Sequence, residues 1–381
     1  MRITIVIGGL GGGGAERVCV NLANVWAVDG RDVTILTVAQ QSTTHSAYPV
    51  DPRVARRTVG WPREPRAGEE REPILLALQQ ANCHELAGDA SMLAALRQEI
   101  LATAPDVVVS HMDRTNIRVL AALLGTGVPV IACEHTDVHR VSVGLLEAAR
   151  AVLYRRAGMV VASHEGTTAW LTRQGIPGRT IANPLVPPQG GTRGPMSTGR
   201  RRRVVTLSRL SREKRVDLIL RAFAIAAEGL PGWELEVYGD GPLRAEMASL
   251  TAQLGLQGRA FLRGFTDDPY GALGDADLYV SASAVEGFGN AIWEALACGV
   301  PVVALDCGAP VRALVRDGVD GRIISGTYRD LAAVLGSLIR DEAARAALAS
   351  RAPEVLTRFG FDAALRAWDE VLQGAVAEVR A

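Results

Sequence analysis

The stretch DLYVSASAVEGFGNAIWEALACGVPVV, residues 277–303, decides how the rest of the chain is read. An apolar run at Leu278, Tyr279 and Val280 gives way to a loop punctuated by Gly287 and Gly289. A segment with helical spacing follows, and then a second apolar run at Val300, Val302 and Val303. Strand, glycine loop, helix and strand in that order predict one unit of a parallel α/β sheet.

Two carboxylates bracket the loop. Glu286 stands just before Gly287-Phe288-Gly289-Asn290, and Glu294 lies eight residues further on. That is roughly two turns into a helix of ~3.6 residues per turn, so both face one ligand lying across the helix N-terminus. The N-terminus itself offers unpaired N–H groups and the positive end of the helix dipole. Carboxylates accept hydrogen bonds from sugar hydroxyls, and bare amides suit phosphate. The combination fits a molecule that is part polyol and part diphosphate, such as a nucleotide sugar.

This E-x7-E pattern, with the flanking EGFGN and EALACGVPVV, resembles the signature of glycosyltransferase family 4. These are retaining enzymes of the GT-B architecture. The resemblance implies an α/β fold of two Rossmann-like, doubly wound domains facing across a cleft. It also implies that Glu286 holds sugar hydroxyls, that Glu294 holds the ribose, and that the turn Gly287 to Asn290 seats the departing phosphate.

Upstream, Ser208-Arg209-Leu210-Ser211-Arg212-Glu213-Lys214-Arg215 closes one apolar run and leads toward a helix that Lys214 is expected to open. Two cations five residues apart at such a junction converge on a diphosphate, arginine as a planar fork and lysine as a point charge. The segment resembles the family's G-R-L-x-x-x-K-G, with Ser208 and Arg215 in place of its glycines, and the phosphate role is carried onto Arg209 and Lys214. The turns at Gly239-Asp240-Gly241-Pro242 and Gly264-Phe265 resemble the family's base- and ribose-side contacts, although G-D-G-P is also a plain turn sequence.

At the other end of the chain, an apolar run over residues 2–7 is followed by seven residues of which six are glycine, 8–14, and then by a helical pattern. That order cradles phosphate, and Gly9, Gly11 and Gly14 even satisfy the spacing of a nicotinamide-binding turn. Such a domain needs an acidic residue near the end of the second strand, and VTILTVAQ at 33–40 ends without one. The resemblance accounts for the loop instead: GGAERV at 13–18 opens the family's N-terminal domain, and Gly12, Gly13 and Gly14 would face the donor diphosphate or the acceptor.

Further runs at 106–110, 129–133 and 159–162 predict parallel strands, with His111, Glu134-His135 and Ser163-His164 at their carboxyl ends, where catalytic groups of such sheets lie. His135 is the candidate to contact the donor sugar, by resemblance to a histidine in that part of the family's N-terminal domain. Residues 41–90 lose strand periodicity. Their arginines Arg53, Arg56, Arg57, Arg63 and Arg66 read as a solvated loop, an acceptor-binding or membrane-surface patch being the other option.

The expected organisation is an acceptor-side domain over 1–186, a proline-, glycine- and arginine-rich linker over 187–203 ending in Arg200 to Arg203, and a nucleotide-sugar domain over 204–361. A helix over 362–381 then crosses back to the first domain. The 381 residues suit two cores. The 41 basic and 41 acidic residues cancel, which gives no overall pull toward nucleic acid or anionic lipid. Five scattered cysteines and six scattered histidines show neither C-x-x-C nor H-E-x-x-H spacing, so reduced thiols, a cytoplasmic location and no metal site are expected. No run reaches the ~20 apolar residues of a membrane span, and the start reads as a strand and turn instead of a cleavable signal.

The function expected is therefore a metal-independent, retaining transferase moving a sugar from a nucleoside diphosphate sugar, UDP-linked for preference, with no cofactor beyond the donor. The acceptor would be a natural-product core such as an aminocyclitol, or a glycan or lipid-linked saccharide with peripheral membrane contact. Two other functions remain open at this stage: a nucleotide-sugar epimerase on the same fold, and a non-catalytic nucleotide-sugar-binding partner.

Overall fold

The computed structural model describes residues 1–38, 46–59, 71–136, 144–188 and 202–380. They form two compact units, Met1–Pro184 with Asp362–Ala381 and Leu185–Phe361. Each unit is an α/β domain around its own parallel sheet, as the sequence predicts. Most of the linker expected at 187–203 lies outside the described residues, and Arg202 and Arg203 belong to a strand instead.

The first unit contains β1 (Arg2–Ile7), β2 (Asp32–Thr37), β3 (Ala55–Thr58), β4 (Val107–His111), β5 (Val130–Glu134), β6 (Met159–Ala162) and β7 (Gly178–Thr180). Their order in the sheet is β3-β2-β1-β4-β5-β6-β7 and every pairing is parallel. Because side chains alternate across a strand, Val6, Leu36, Val108 and Ala132 join one apolar layer while Ile5, Ile35, Val109 and Ile131 join the other. The C-terminal helix Phe361–Arg380 closes the second layer with Ala364, Trp368, Val371 and Leu372. Trp368 meets Trp26 edge-on at 5.7 Å, and Asp369 receives Arg31 at 2.5 Å.

The second unit contains β8 (Arg202–Leu207), β9 (Trp233–Tyr238), β10 (Ala260–Gly264), β11 (Leu278–Ser281), β12 (Val302–Leu305) and β13 (Gly321–Ile324), in the order β10-β9-β8-β11-β12-β13. Both sheets thus reverse direction once, between β1 and β4 and between β8 and β11. Ligands of open α/β sheets bind outside the carboxyl ends of strands at such a reversal, where loops diverge to opposite faces and leave a crevice.

Three elements depart from expectation. Ahead of the helix Ala90–Leu101, residues 41–90 hold β3, the helix Arg71–Gln80 and the 3-10 turn His84–Asp89 in place of a continuous loop. Arg56 and Arg57 sit on the exposed edge strand β3, Arg53 is clamped to Asp51, and Arg63 and Arg66 lie outside the described residues. β3 is short and exposed at all four positions, so it carries no apolar alternation that betrays a strand.

Candidate functional site

At the reversal of the second sheet, the loop after β8 carries Arg209 and Lys214 and the loop after β11 carries Glu286. The Lys214 ammonium donates to Glu286 Oε1 at 2.7 Å, with the two side chains 24% and 15% exposed. Two groups assigned to the ligand therefore hold each other. Lys214 does not open the helix as expected. It ends a short 3-10 turn, Arg212–Lys214, and the helix Val216–Ala226 starts after Arg215.

Arg215 explains both the delay and why a glycine would suit that place. Its backbone is left-handed, φ 47° and ψ 45°, a conformation that costs a side chain roughly 1–2 kcal/mol. Its guanidinium compensates by donating to the carbonyls of Ala282 (2.7 Å) and Ser283 (3.1 Å), and Ala284 N–H donates to Glu213 O at 2.7 Å. The loops after β8 and β11 are stitched together on either side of the Lys214–Glu286 pair.

The turn at 239–242 shapes the same loop from the other side. Asp240 O accepts from Leu210 N–H at 3.0 Å, and Leu210 O accepts from Leu243 N–H at 3.0 Å. A Cβ on Gly239 would lie 2.0 Å from Ser208 O, and one on Gly241 would lie 2.5 Å from Leu210 O. These glycines are required by chain packing before any ligand is considered. The exposed Asp240 carboxylate receives Gly241 N–H, Gly264 N-terminal to Phe265 bonds back to Gly239, and the Phe265 ring is 51% exposed. Arg209 is exposed and makes no hydrogen bond or ion pair through its guanidinium with a described residue.

The helix of the E-x7-E stretch, Asn290–Ala297, is capped by Gly289 at φ 94°. A side chain there would be strained and would press on Leu314 at 3.1 Å. Glu294 is 3% exposed, whereas the Phe288 ring is buried edge-on against Phe359 at 5.8 Å. Phe288 was expected beside Gly287 and Asn290 at the ligand, yet its ring belongs to the core and only its backbone is left for that role. Both glutamates act electrostatically on Tyr279. Burial first, then the charges of Glu286 and Glu294, hold its hydroxyl protonated well above the ordinary phenol range. Tyr279 was missed because a tyrosine inside an apolar run reads as core.

In the first unit, the groups at the β1–β4 reversal are the glycine loop, His111 and, from neighbouring β5, Glu134-His135. Tyr48 donates its hydroxyl toward the carbonyls of Gly12 and Gly13, at 3.0 and 3.3 Å, which fixes the loop just before the helix Gly14–Val28. His111 closes β4, fully buried, and its Nδ1 lies 2.8 Å from His135 Nε2, the two rings stacked at 5.0 Å and 15°. Burial pushes His135 down to about 4, and burial with His135 beside it pushes His111 well below the ordinary histidine range. Met112 follows at φ 78°, a strained conformation for a side-chain-bearing residue. His164, the third strand-end histidine, caps the helix Glu165–Arg173 through Thr167 and is accounted for by that role.

On the opposite face of the same strand ends lies a polar chain that the sequence did not disclose. Ser110 Oγ donates to Asn116 Oδ1 at 2.7 Å, Asn116 Nδ2 donates to Cys133 O at 2.9 Å and to Tyr154 Oη at 3.2 Å, and Tyr154 donates to Glu134 Oε1. Glu134 is 2% exposed, and its Oε2 has no partner among the described residues. Burial raises its carboxyl to about 7. Among the described residues no group of three or more His, Cys, Asp or Glu could hold a metal ion, and no helix is long and apolar enough to cross a membrane.

Comparison with known families matches residues 12–189 to Glycosyltransferase Family 4 and residues 196–355 to Glycosyl transferases group 1. The chain belongs to the family 4 type of glycosyltransferase. Among curated relatives, the glycosyltransferase chain is 32% identical over 195 residues to an exopolysaccharide phosphotransferase of Streptomyces coelicolor, covering 51% of this chain and 20% of that protein. It is 33% identical over 141 residues to a poly(glycerol-phosphate) alpha-glucosyltransferase of Bacillus subtilis, covering 37% of this chain and 21% of that one. These matches span only about a fifth of each relative's length. Among solved structures, HepE of Anabaena in complex with UDP and glucose superposes with a TM-score of 0.76 at 22% identity, covering 97% of this glycosyltransferase and 99% of HepE. That likeness establishes the GT-B fold.

Proposed function

We propose that this protein transfers a sugar from a nucleoside diphosphate sugar, UDP-linked for preference, to an acceptor hydroxyl with retention at the anomeric carbon. The observation that carries this reading is the Lys214–Glu286 pair at the β8–β11 reversal, 2.7 Å apart in front of the glycine-capped helix. A diphosphate arriving there offers Lys214 a more highly charged partner and releases Glu286 to accept from sugar hydroxyls. Arg209, exposed and without a hydrogen bond or ion pair to its guanidinium among the described residues, adds a second cation. Glu294 is assigned to the ribose, and Asp240, Gly264 and Phe265 to the nucleoside side.

In the reaction so read, the bond between the anomeric carbon and the diphosphate oxygen breaks and the acceptor oxygen bonds from the same face. The acceptor proton passes to the departing diphosphate. Negative charge grows on that leaving group, and Arg209, Lys214 and the helix N-terminus at Phe288 to Asn290 are assigned to stabilise it, the role that a divalent cation fills in other transferases. In the first unit, His135 is assigned to the sugar and Gly12, Gly13 and Gly14 to the diphosphate or the acceptor. The UDP in the HepE structure and the polymer glucosylation named for the Bacillus relative support this reading of donor and chemistry. For the acceptor, a glycan or lipid-linked saccharide fits the relatives' names.

The test is a melting-temperature panel of the purified protein with UDP-, GDP- and dTDP-sugars. A UDP-sugar is expected to raise the midpoint by several degrees, since saturation at about 100 Kd adds roughly 2.7 kcal/mol. No shift with any of them would overturn the reading.

A further inference from the structure

The geometry points to His111 as a positioning residue that, buried behind His135, fixes the tautomer of His135 so that its Nδ1 presents an N–H donor. The inference rests on the transferase reading only for the consequence on turnover. A neutral imidazole carries one proton and offers one donor and one acceptor. His111 Nε2 is fully buried with no partner among the described residues, while His111 Nδ1 has one in His135 Nε2 at 2.8 Å. Placing the proton of His111 on Nε2 would bury an unsatisfied donor. Placing it on Nδ1 leaves only a lone pair unsatisfied, and buried orphan donors are the rarer of the two.

His111 therefore donates and His135 Nε2 accepts. His135, held neutral by its surroundings, must then carry its own proton on Nδ1, the reverse of the tautomer that free imidazole side chains prefer in water. No described residue engages that Nδ1. The stack at 15° fixes the plane of the ring as well as its proton, and the strained Met112, whose carbonyl accepts Asn116 N–H at 2.8 Å, holds the end of β4 that carries His111. A donor at a fixed place and in a fixed plane suits an oxygen acceptor, such as a sugar hydroxyl or the ring oxygen.

The experiment is long-range proton–nitrogen correlation of the histidine-labelled full chain, without substrate, in the wild type and in His111→Phe and His111→Asn. In the wild type, His135 should show a protonated Nδ1 and an unprotonated Nε2. His111→Phe keeps a ring but has no N–H, and His135 should shift toward Nε2–H. Asn places its amide where Nδ1 of histidine lies, so His111→Asn should restore the Nδ1–H form. In turnover assays His111→Phe should lower kcat about tenfold, the loss of one oriented hydrogen bond. UDP affinity should stay unchanged and His111→Asn should recover most of the loss. A wild-type His135 protonated on Nε2 overturns the inference without a variant being needed. So does a folded His111→Phe with full turnover, which would leave the transferase reading itself standing. Absence of transfer in the wild type, with the expected tautomer present, would instead overturn the transferase reading.

Discussion

Replacing Glu286 by Gln separates two roles that the sequence merges. In the free protein the Glu286 carboxylate holds the Lys214 ammonium at 2.7 Å, with 15% and 24% of the side chains exposed. A charge-assisted hydrogen bond is worth about 1.5–3 kcal/mol, and partial exposure reduces this pair to about 1 kcal/mol. A diphosphate that draws Lys214 away must first overcome that attraction, and Glu286→Gln removes most of it. Since about 1.4 kcal/mol is tenfold in affinity, UDP should bind the variant as tightly as the wild type or up to about fivefold tighter. Transfer should nonetheless fall about 100-fold, because the hydroxyl contacts that orient the reacting carbon weaken. Glu294→Gln should do the opposite to binding: with Glu294 3% exposed and assigned to the ribose, UDP affinity should fall about tenfold. Calorimetric titration of UDP into the three proteins decides the matter. A loss of UDP affinity in Glu286→Gln equal to or larger than that in Glu294→Gln refutes the assignment and the view that Lys214 is held in reserve.

Arg209→Ala and Lys214→Ala should each lower transfer by about two orders of magnitude; Arg209→Ala is the cleaner of the two, because it leaves no carboxylate unpaired, and near-normal turnover in both folded variants would remove the diphosphate from this loop. Transfer should survive EDTA, and a complete loss restored by Mg2+ or Mn2+ would mean that fixed cations do not suffice. Glu134 makes stability depend on pH with a definite sign. Its carboxyl is raised from 4.5 to about 7 in the fold, so a contribution of about 3 kcal/mol is fully present below pH 4.5 and is lost as the pH rises through about 7. His111 and His135, lowered in the fold, oppose it by gaining stability as the pH rises. The difference in melting temperature between wild type and Glu134→Gln isolates the carboxyl and should change between pH 4.5 and 7; parallel curves would show that the fold does not raise the Glu134 carboxyl.

Most strands were legible because a parallel sheet covered on both faces needs apolar runs, and those runs are short, frequent and bounded by glycine or proline. Val108, Val109, Ile131 and Val160 are fully buried for that reason. The strands that escaped notice are those whose environment asks for no apolar side chain. β3 is an exposed edge reading ARRT, and β7 is three residues long, reading GRT. The C-terminal helix was legible through Trp368, Val371 and Leu372, which recur at helical spacing and are buried in the first unit.

The site was legible where chemistry and backbone demand the same residue, and illegible where one residue serves another through space. Glu286, Glu294 and Gly289 are neighbours in sequence, so their spacing could be read directly. Lys214 and Glu286 are 72 residues apart, and His111 and His135 are 24 apart. No periodicity joins such pairs until the sheet sets their strand ends side by side, across the β8–β11 reversal for the first pair and between the neighbours β4 and β5 for the second. The departures from the family pattern carry the same lesson. Arg215, standing where the family has glycine, reads from sequence as a lost turn residue. In the fold it keeps the left-handed turn at a cost of roughly 1–2 kcal/mol, and it offsets that cost with two guanidinium hydrogen bonds to the loop that carries Glu286. An arginine here ties the cation loop to the carboxylate loop, which a glycine cannot do, so the substitution rigidifies the pair of loops on which the Lys214–Glu286 contact depends.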